Sequence, residues 1–474
     1  MSRSLDGQHF DAVIIGAGMS GLAAGIRLAH FGKKALILER HNAPGGLNSF
    51  YSIGGRKFDV GLHALTNFVR PGVKGTALGK LLKQLRIRRE ELQLCEQKGS
   101  RVTFPSESLG FGNDVAYLES EVARAFPAEV DNFRKLVAAI PSLNDPALYT
   151  RNESARGVLE HIIGDPQLIE MLLCPIMYYG SATENDLDFG QFAILFRSIF
   201  LEGFARPRDG IRPIIRLLLD KYRSLGGVRK MKCGVKQIHT RGDKVHSLEL
   251  DSGECVTGEH IISSAGLVET MRMCEDQPAD AEAASEGKLS FVETISVLDC
   301  QPKDFGWEDT ITFFSTTDRL HYQKAEDPVD LRSGTICFPN NYDYGDAGEL
   351  PEGVFRVTAL ANFDAWTSTG DAAYRAMKDT YFQKVTDMAL SVLPSVPTGA
   401  LERHTIFTDM FTPRTLKRFT GHVGGAIYGS TTKIRSGATH LENLYLCGTD
   451  QGLLGITGAL LSGITVANTH ILAP

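Results

Sequence analysis

Three glycines and one carboxylate near the start of the chain have the spacing of a dinucleotide site. Gly16, Gly18 and Gly21 form a G-x-G-x-x-G turn, and Glu39 follows 18 residues after the last of them. In such a turn the first glycine permits a tight bend, the second lets the backbone approach a diphosphate, and the third lets helix and strand pack closely. A carboxylate at this distance can accept hydrogen bonds from ribose hydroxyls and would repel a 2′-phosphate. The four residues therefore predict a dinucleotide other than NADP.

A complete βαβ unit positions these residues. Apolar residues 12–15 and 35–38 predict two strands, and residues 19–31 between them predict a helix. The helix begins at Met19 and Ser20, where unpaired N–H groups and the positive end of the helix dipole favour a phosphate. Strand, glycine turn, helix and terminal carboxylate are thus in register for binding one cofactor.

A second glycine pair identifies that cofactor as FAD rather than NAD. Gly45 and Gly46, followed by Leu47, come soon after the carboxylate, and backbone amides there can approach another part of the same molecule. The segment alone would equally suit a surface turn. Its position directly after the βαβ unit favours the cofactor.

The C-terminal region carries a complementary signal. A short strand leads to Gly448 and Asp450, and a helix predicted over 455–471 begins with Ile456 and Thr457. Asp450 can accept hydrogen bonds from ribityl hydroxyls, and the helix N-terminus can stabilise negative charge that develops on a reduced isoalloxazine. The same residues would also suit a plain strand, turn and terminal helix.

The predicted fold is α/β, with a discontinuous Rossmann-type FAD-binding domain, an α+β substrate domain and a helical lid. The expected segments are 9–75, 211–286 and 401–474 for the FAD-binding domain, 76–210 for the helical part of the substrate domain, and 287–400 for its antiparallel sheet. Helices are expected at 76–85, 119–140, 166–177, 211–225 and 371–392.

Residues 189–204, FGQFAILFRSIFLEGF, are unusually rich in Phe, Ile and Leu. A buried helix of the domain core is the first interpretation. A wall or mouth of a lipophilic tunnel is the second.

Composition limits the class of partner and the location. The chain has 474 residues and a net charge of −6, which gives no global basic field and counts against nucleic acid as a partner. Its 8 cysteines are scattered without a C-x-x-C pair, so neither a metal site nor a disulfide framework is expected. The N-terminal residues resemble no signal peptide and no run of 18 apolar residues occurs, so a cytoplasmic location is expected, with attachment to a membrane surface left open.

No second G-x-G-x-x-G follows a predicted strand, so no separate nicotinamide site is expected. Oxygen or a quinone is then the expected electron acceptor. His63, Arg414 and Tyr428 are candidates for acid–base chemistry because they flank the glycine-rich segments, although packing roles would suit each of them.

The sequence resembles the phytoene desaturase superfamily of FAD-dependent oxidoreductases, which includes carotenoid desaturases, carotenoid isomerases and retinol saturase and is related to amine oxidases. The resemblance rests on VIIGAGMSGLAAGIRLA with LERHNAPGG at the start, and on GGAIYG and LYLCGTDQGLLGITGALLSGITVAN at the end. It implies an ADP half held by Gly16, Gly18, Gly21, Glu39, Arg40 and Gly46, an adenine beside Val235, and a ribityl chain and flavin ring beside Asp450, Ile456 and Thr457. Many relatives carry Arg after the glycine pair where this chain has Leu47, and Arg40 is the alternative source of that charge.

The resemblance implies an enzyme for a long apolar isoprenoid, with desaturation or isomerisation of a carotenoid by hydride transfer to flavin as the main hypothesis. Such a substrate resides in lipid, so peripheral membrane contact is expected to accompany it. Three alternatives stay open: a squalene-type isoprenoid dehydroxylase, an amine-oxidase-like flavoenzyme, and a non-catalytic protein that binds FAD or lipid.

Overall fold

The structure is a computed structural model that describes residues 4–61, 63–140, 153–277 and 285–473. Its strands are β1 His9–Ile15, β2 Ala35–Glu39, β3 Phe50–Ile53, β4 Arg56–Asp59, β5 Leu65–Thr66, β6 Leu94–Glu96, β7 Ser100–Thr103, β8 Ser108–Phe111, β9 Phe204–Pro207, β10 Val228–Met231, β11 Val235–Arg241, β12 Lys244–Leu250, β13 Cys255–Ser263, β14 Ser290–Leu298, β15 Ile311–Ser315, β16 Ser333–Cys337, β17 Gly353–Ala361, β18 Thr405–Phe411 and β19 Leu444–Leu446. Its α-helices are α1 Met19–His30, α2 Ala77–Leu85, α3 Val115–Ala125, α4 Val130–Ala139, α5 Ala155–Ile162, α6 Pro166–Gly180, α7 Phe189–Phe196, α8 Arg212–Ser224, α9 Leu267–Met273, α10 Phe363–Thr367, α11 Asp371–Leu390, α12 Ala400–His404, α13 Pro413–Thr420 and α14 Gly455–Val466.

The first sheet is the Rossmann-type sheet that the βαβ unit predicts. Its order is β10-β2-β1-β13-β12-β11, and β19 also pairs with β13. Strands β10, β2, β1, β13 and β19 run parallel, whereas β12 and β11 are antiparallel additions. The central strands are apolar on both faces because helices cover the sheet. This arrangement confirms the α/β fold and brings segments from three distant parts of the chain into one domain.

The second sheet has the order β18-β14-β17-β16-β15-β7-β8 and supports the other domain. Its pairs are antiparallel except for β15 with β7. Strands β6, β7 and β8 interrupt a region that we expected to be helical, and β7 and β8 extend this sheet. Strand β7 pairs with β15, some two hundred residues later in the sequence. A local sequence pattern does not reveal such a long-range pairing.

The helical region follows the predicted periodicity, with breaks at specific residues. The helix expected over 119–140 is split into α3 and α4, because Pro127 begins an intervening short helix. In the segment 189–204, Phe192, Phe196 and Phe200 are fully buried in the helical core. Their burial supports the core interpretation. None of the segment's residues lines the cavity described below, and the tunnel-wall interpretation stays a prediction.

Helix α14 crosses α1 at backbone contact. A Cβ atom at Gly463 would lie 1.9 Å from the carbonyl oxygen of Ser20, so only glycine fits there. Within the described residues, Gly455–Leu472 is long and apolar enough to span a membrane by length and composition. Half of that stretch is buried inside the protein, as in a core helix, and its crossing with α1 joins the two predicted halves of the site.

Candidate flavin site and adjoining cavity

The first glycine turn has the geometry that a diphosphate requires. Gly16 has a φ of 100°, and a Cβ at Gly21 would lie 2.2 Å from the Gly16 carbonyl oxygen. Gly18 differs, because its φ is −70° and a Cβ there would meet nothing within 4 Å. The space that a side chain at Gly18 would occupy is therefore empty. A diphosphate would need that space, which explains glycine at this position.

The second glycine turn lies directly against the first. The Gly45 N–H donates to the Ala17 carbonyl at 2.9 Å, and a Cβ at Gly46 would lie 3.5 Å from the Gly18 Cα. No side chain caps the N-terminus of α1, and its first turn contains no acidic residue. The two turns and the uncapped helix end thus form one cradle suited to a negatively charged group.

Glu39 closes the cradle at the end of β2. One carboxylate oxygen accepts the Ala17 N–H at 2.7 Å and the other accepts the His41 N–H at 2.8 Å. A carboxylate has about four acceptor positions, so capacity for ribose hydroxyls remains.

Arg40 lies beside Val235, and its guanidinium is fully engaged in contacts within the protein. Its guanidinium donates to the Val235 carbonyl at 2.5 Å and to both oxygens of Asp251 at 3.0 and 3.1 Å. It therefore joins β2 to β11 and β12 at the end of the sheet where the adenine is expected. Its predicted contact with the diphosphate stays a prediction.

The C-terminal half meets the N-terminal half at Gly448. A Cβ at Gly448 would lie 3.2 Å from the Ser20 hydroxyl, and the Gly448 N–H donates to Ser462 at 2.6 Å. Helix α14 has no side-chain cap and no acidic residue in its first turn, so its N-terminus presents a positive dipole end. Near this end Ile456 lines the cavity, and Thr457 donates to the Thr66 carbonyl at 3.2 Å.

Asp450 is buried and holds three segments together. Its oxygens accept N–H groups of Leu267 at 2.5 Å and Ser430 at 2.7 Å, and Lys433 approaches at 3.3 Å. Burial lowers the pKa of Lys433, and Asp450 opposes that shift. Thr449, rather than Asp450, lines the cavity, and the predicted ribityl contact of Asp450 stays a prediction.

A cavity of about 190 Å³ lies between the cofactor domain and the second sheet. The cofactor domain contributes one wall, the sheet a second, and α6 with the segment after α13 a third. The principal lining residues are Leu47, Leu454, Ile456, Ala459, Phe291, Ile311, Phe313, Tyr178, Tyr179, Ile427 and Tyr428. The lining is mostly apolar and aromatic. Besides the tyrosines, its polar side chains are those of Asn48, His63, Glu293, Thr335, Thr358 and Thr449.

His63 and Glu293 are the titratable pair of that polar group. The His63 Nε2 atom lies 3.5 Å from a Glu293 oxygen and 3.3 Å from the Thr358 hydroxyl. Its Nδ1 atom is buried and has no hydrogen-bond partner among the described residues. Burial lowers the pKa of His63 to about 4, aided by the positive charges of Arg356 and Arg206 and opposed by Glu293. The imidazole is therefore neutral at neutral pH.

Buried arginines compensate the buried carboxylates below the cavity. Arg356 donates to the two oxygens of Glu293 at 2.6 and 2.9 Å and to the Asp59 carbonyl at 2.8 Å. Arg206 donates to the Asp59 carboxylate at 2.6 Å. Two cations thus balance two anions, and with neutral His63 the network adds no net charge to the cavity.

The other two catalytic candidates have different positions. The Tyr428 hydroxyl donates to the Tyr178 carbonyl, and burial raises its pKa, so the phenol is neutral and engaged within the protein. Arg414 pairs with Asp371 at 3.0 Å, stacks on Tyr374, and does not line the cavity. The structure therefore brings His63 and Tyr428 to one cavity and leaves Arg414 outside it.

Glu293, Arg356 and Thr358 were missed from the sequence. A signal was present, because Glu293 and Arg356 are charged residues inside the otherwise apolar strands FVETISV and FRVTALA. Charged residues are almost never fully buried unless they are paired, so two such strands imply partners.

The sequence matches the family described as flavin containing amine oxidoreductase over residues 19–469. It is 22% identical to the all-trans-retinol 13,14-reductase of Danio rerio, over 97% of this chain and 85% of that protein. It is 20% identical to prolycopene isomerase 1 of an Oncidium hybrid cultivar, over 98% of this chain and 84% of that protein. It is 22% identical to 4,4'-diaponeurosporene oxygenase of Staphylococcus aureus, over 96% of this chain and 97% of that protein.

Solved structures share the fold. An oxidoreductase from Methanosarcina mazei matches with a TM-score of 0.66 and 15% identity, covering 97% of this chain and 100% of that one. A variant of putrescine oxidase matches with a TM-score of 0.62 and 16% identity, covering 98% and 99%. The family match covers nearly the whole chain, and the glycine cradle fits the cofactor that the family uses. The protein therefore belongs to the flavin-containing amine oxidoreductases and is an FAD-dependent oxidoreductase related to the phytoene desaturase and carotenoid isomerase group.

Proposed function

We propose that the enzyme desaturates or isomerises a long, uncharged, apolar isoprenoid of the carotenoid type. The observation that carries this proposal is the cavity at the predicted flavin position, which is apolar and aromatic and whose buried carboxylates are neutralised by Arg206 and Arg356. Among the described residues the cavity offers no uncompensated carboxylate to pair with a cationic amine, and a hydrocarbon gains from burial against such walls. The carotenoid- and retinoid-related names of three relatives support the same substrate class.

The FAD-binding residues follow from the cradle. Gly16, Gly18, Gly45 and Gly46 would admit the diphosphate, and Glu39 would accept the ribose hydroxyls. FAD, when bound, supplies a two-electron acceptor at its ring. The uncapped N-terminus of α14, beside Ile456, would face that ring and stabilise negative charge on it.

His63 is the residue that we propose to move a proton. His63 lines the cavity, and its Nδ1 atom, which has no hydrogen-bond partner among the described residues, would accept a proton from substrate once the side chain turns to expose it. In a desaturation, the substrate loses a hydride from one carbon and a proton from the next, and a carbon–carbon double bond forms. The bidentate pair of Glu293 with Arg356 fixes the carboxylate that orients the imidazole.

The cavity volume determines how much substrate is enclosed. About 190 Å³ is less than the roughly 300–1,000 Å³ of common ligand clefts, so a C30–C40 chain does not fit entirely in this form. We propose that the flavin ring and the reacting section of the substrate meet in the cavity, and that the rest of the substrate chain lies outside it. Contact with a lipid surface would then deliver the substrate to a cytoplasmic enzyme, and oxygen or a quinone would reoxidise the flavin.

Chromatography of candidate substrates tests the proposal. The FAD-loaded protein is incubated with phytoene, a poly-cis carotene or hydroxysqualene in liposomes, both aerobically and with reduced flavin. We expect a new double bond or a changed isomer in one of them, and a loss of at least tenfold in rate for His63→Gln. His161→Gln, at an exposed histidine on α5, is the matched control and should retain the rate. Failure of all three substrates to change would refute the isoprenoid assignment, and bound FAD without any turnover would favour a carrier.

A further inference from the structure

A second cleft, of about 500 Å³, lies apart from the flavin cavity and shares none of its lining residues. It is enclosed by α8, the β3–β4 hairpin, Pro44 and the start of β10. Ile215, which lines it, would lie 2.9 Å from a Cβ at Gly45, so the cleft adjoins the second glycine turn. Its size is within the range of small-molecule sites.

The cleft concentrates positive charge in a protein that is negative overall. Five cationic side chains line it against one carboxylate, Asp220, although the whole chain has a net charge of −6. The cations are Lys57, Arg212, Arg216, Arg223 and Arg229. Like charges gathered in one concavity repel one another, and an anion bound there would relieve that repulsion.

Only part of this charge is compensated. Arg223 pairs with Asp220 at 2.7 Å, and Arg212 approaches Asp209 at 3.9 Å. Three of the cations form no salt bridge with any of the residues that the structure describes: Lys57, Arg216 and Arg229. The Nη1 atom of Arg229 is also buried and has no hydrogen-bond partner among those residues. Buried donors are rarely left unpaired in folded proteins, and a bound anion is one of the usual reasons.

The fold places Arg229 at the floor of the cleft. Strand β10 is the edge strand of the first sheet, and Arg229 pairs in register with Ile37 of β2. A Cβ at Gly227 would lie 2.3 Å from the Tyr222 ring, so glycine there lets Tyr222 pack beneath the start of the strand. Tyr222 donates to the Ala35 carbonyl at 2.8 Å, which anchors the floor to the sheet.

We propose that this cleft binds a phosphate-bearing anion. Guanidinium groups match phosphate oxygens with two parallel hydrogen bonds, and several of them around one concavity suit a group with more than one negative charge. Pro44, Phe50 and Leu219 give the cleft an apolar side against which the remainder of the ligand packs. The phosphate belongs either to a soluble small molecule or to a lipid headgroup, since both present the same chemistry.

Two binding measurements on the FAD-loaded protein distinguish these sources. The first is calorimetric titration with inorganic pyrophosphate at low and physiological salt. The second is co-sedimentation with phosphatidylglycerol vesicles, with phosphatidylcholine vesicles as reference. Arg216→Gln and Arg229→Gln should each weaken binding at least tenfold, and salt should weaken it further. Arg216 is exposed, so its variant stays informative if Arg229→Gln impairs folding. Lys221→Gln, on the same helix but outside the lining, is the matched control.

If pyrophosphate binds and its binding depends on both arginines, the ligand is a soluble molecule. If only phosphatidylglycerol vesicles bind, again through both arginines, the ligand is a lipid headgroup. Either result supports a phosphate site. Absence of both kinds of binding, equal binding by the arginine variants and wild type, or loss of FAD from the variants would overturn it. Since none of these readouts involves turnover, they are independent of the proposed substrate.

Discussion

Replacement of Arg356 by Met tests whether the charges below the cavity are compensated as the geometry indicates. Arg356 is 2% exposed and forms two hydrogen bonds of 2.6 and 2.9 Å with Glu293. Methionine fills much of the same space without the charge, so Glu293 would remain as a buried anion without its counter-ion. Breaking a buried ion pair in this way costs about 3–5 kcal/mol.

Urea denaturation at neutral pH measures this loss in the free energy of unfolding. The double variant Glu293→Gln/Arg356→Met should recover most of it, because neither unpaired charge remains. Arg134→Met is the control, since Arg134 and Glu119 form an exposed pair, which water and salt screen, and its loss should leave the stability nearly unchanged. Equal stability of Arg356→Met and wild type, or a double variant as unstable as the single one, would refute the compensated network.

Three further variants test the cradle, the helix crossing and the buried imidazole. Gly18→Ala should change the stability of the FAD-free protein by less than about 0.5 kcal/mol, since the φ of −70° at Gly18 suits any residue. The same variant should retain less FAD after desalting, because the added methyl group enters the open cradle. Full retention of FAD would contradict the open cradle. Gly463→Ala places a Cβ 1.9 Å from the Ser20 carbonyl oxygen and should cost about 1–3 kcal/mol in urea denaturation, whereas an unchanged midpoint would exclude backbone contact between α1 and α14. His63 has a pKa of about 4 in the folded protein against 6.5 in the unfolded chain, so the unfolded chain binds more protons between these pH values. The free energy of unfolding of the wild type should therefore fall by about 3 kcal/mol as the pH falls from 6.5 to 4. His63→Gln should lack that loss, and the same pH dependence in both proteins would refute the buried neutral imidazole.

Much of the cofactor domain could be predicted because its signals are local. Gly16, Gly18 and Gly21 each satisfy a requirement set by residues within one βαβ unit. Helix α1 and strand β2 lie within one residue of the expected limits, and β1 begins three residues earlier than expected. Helix α14 is equally local, because glycine turns and an apolar run define its beginning and length. The cofactor follows from these motifs together, and the family match agrees with it.

The sheet side of the cavity could not be predicted in this way because it depends on pairing between distant strands. Glu293 lies opposite Thr358 in the register of β14 and β17, and Arg356 is a diagonal neighbour on the same face. A single sequence does not contain that register, so a charged residue in an apolar strand stays without an identified partner. Arg414 illustrates the converse error, since proximity in sequence to a glycine-rich segment did not bring it to the cavity.

The central claim is that an uncharged isoprenoid, and not an amine, reacts at the flavin. The most direct test records the flavin spectrum anaerobically after phytoene or putrescine is added to the oxidised protein, and after a poly-cis carotene is added to the reduced protein. We predict that at least one isoprenoid changes the flavin spectrum with conversion of the substrate, and that putrescine leaves it unchanged. Reduction of the flavin by putrescine, with no response to any isoprenoid, would contradict the assignment.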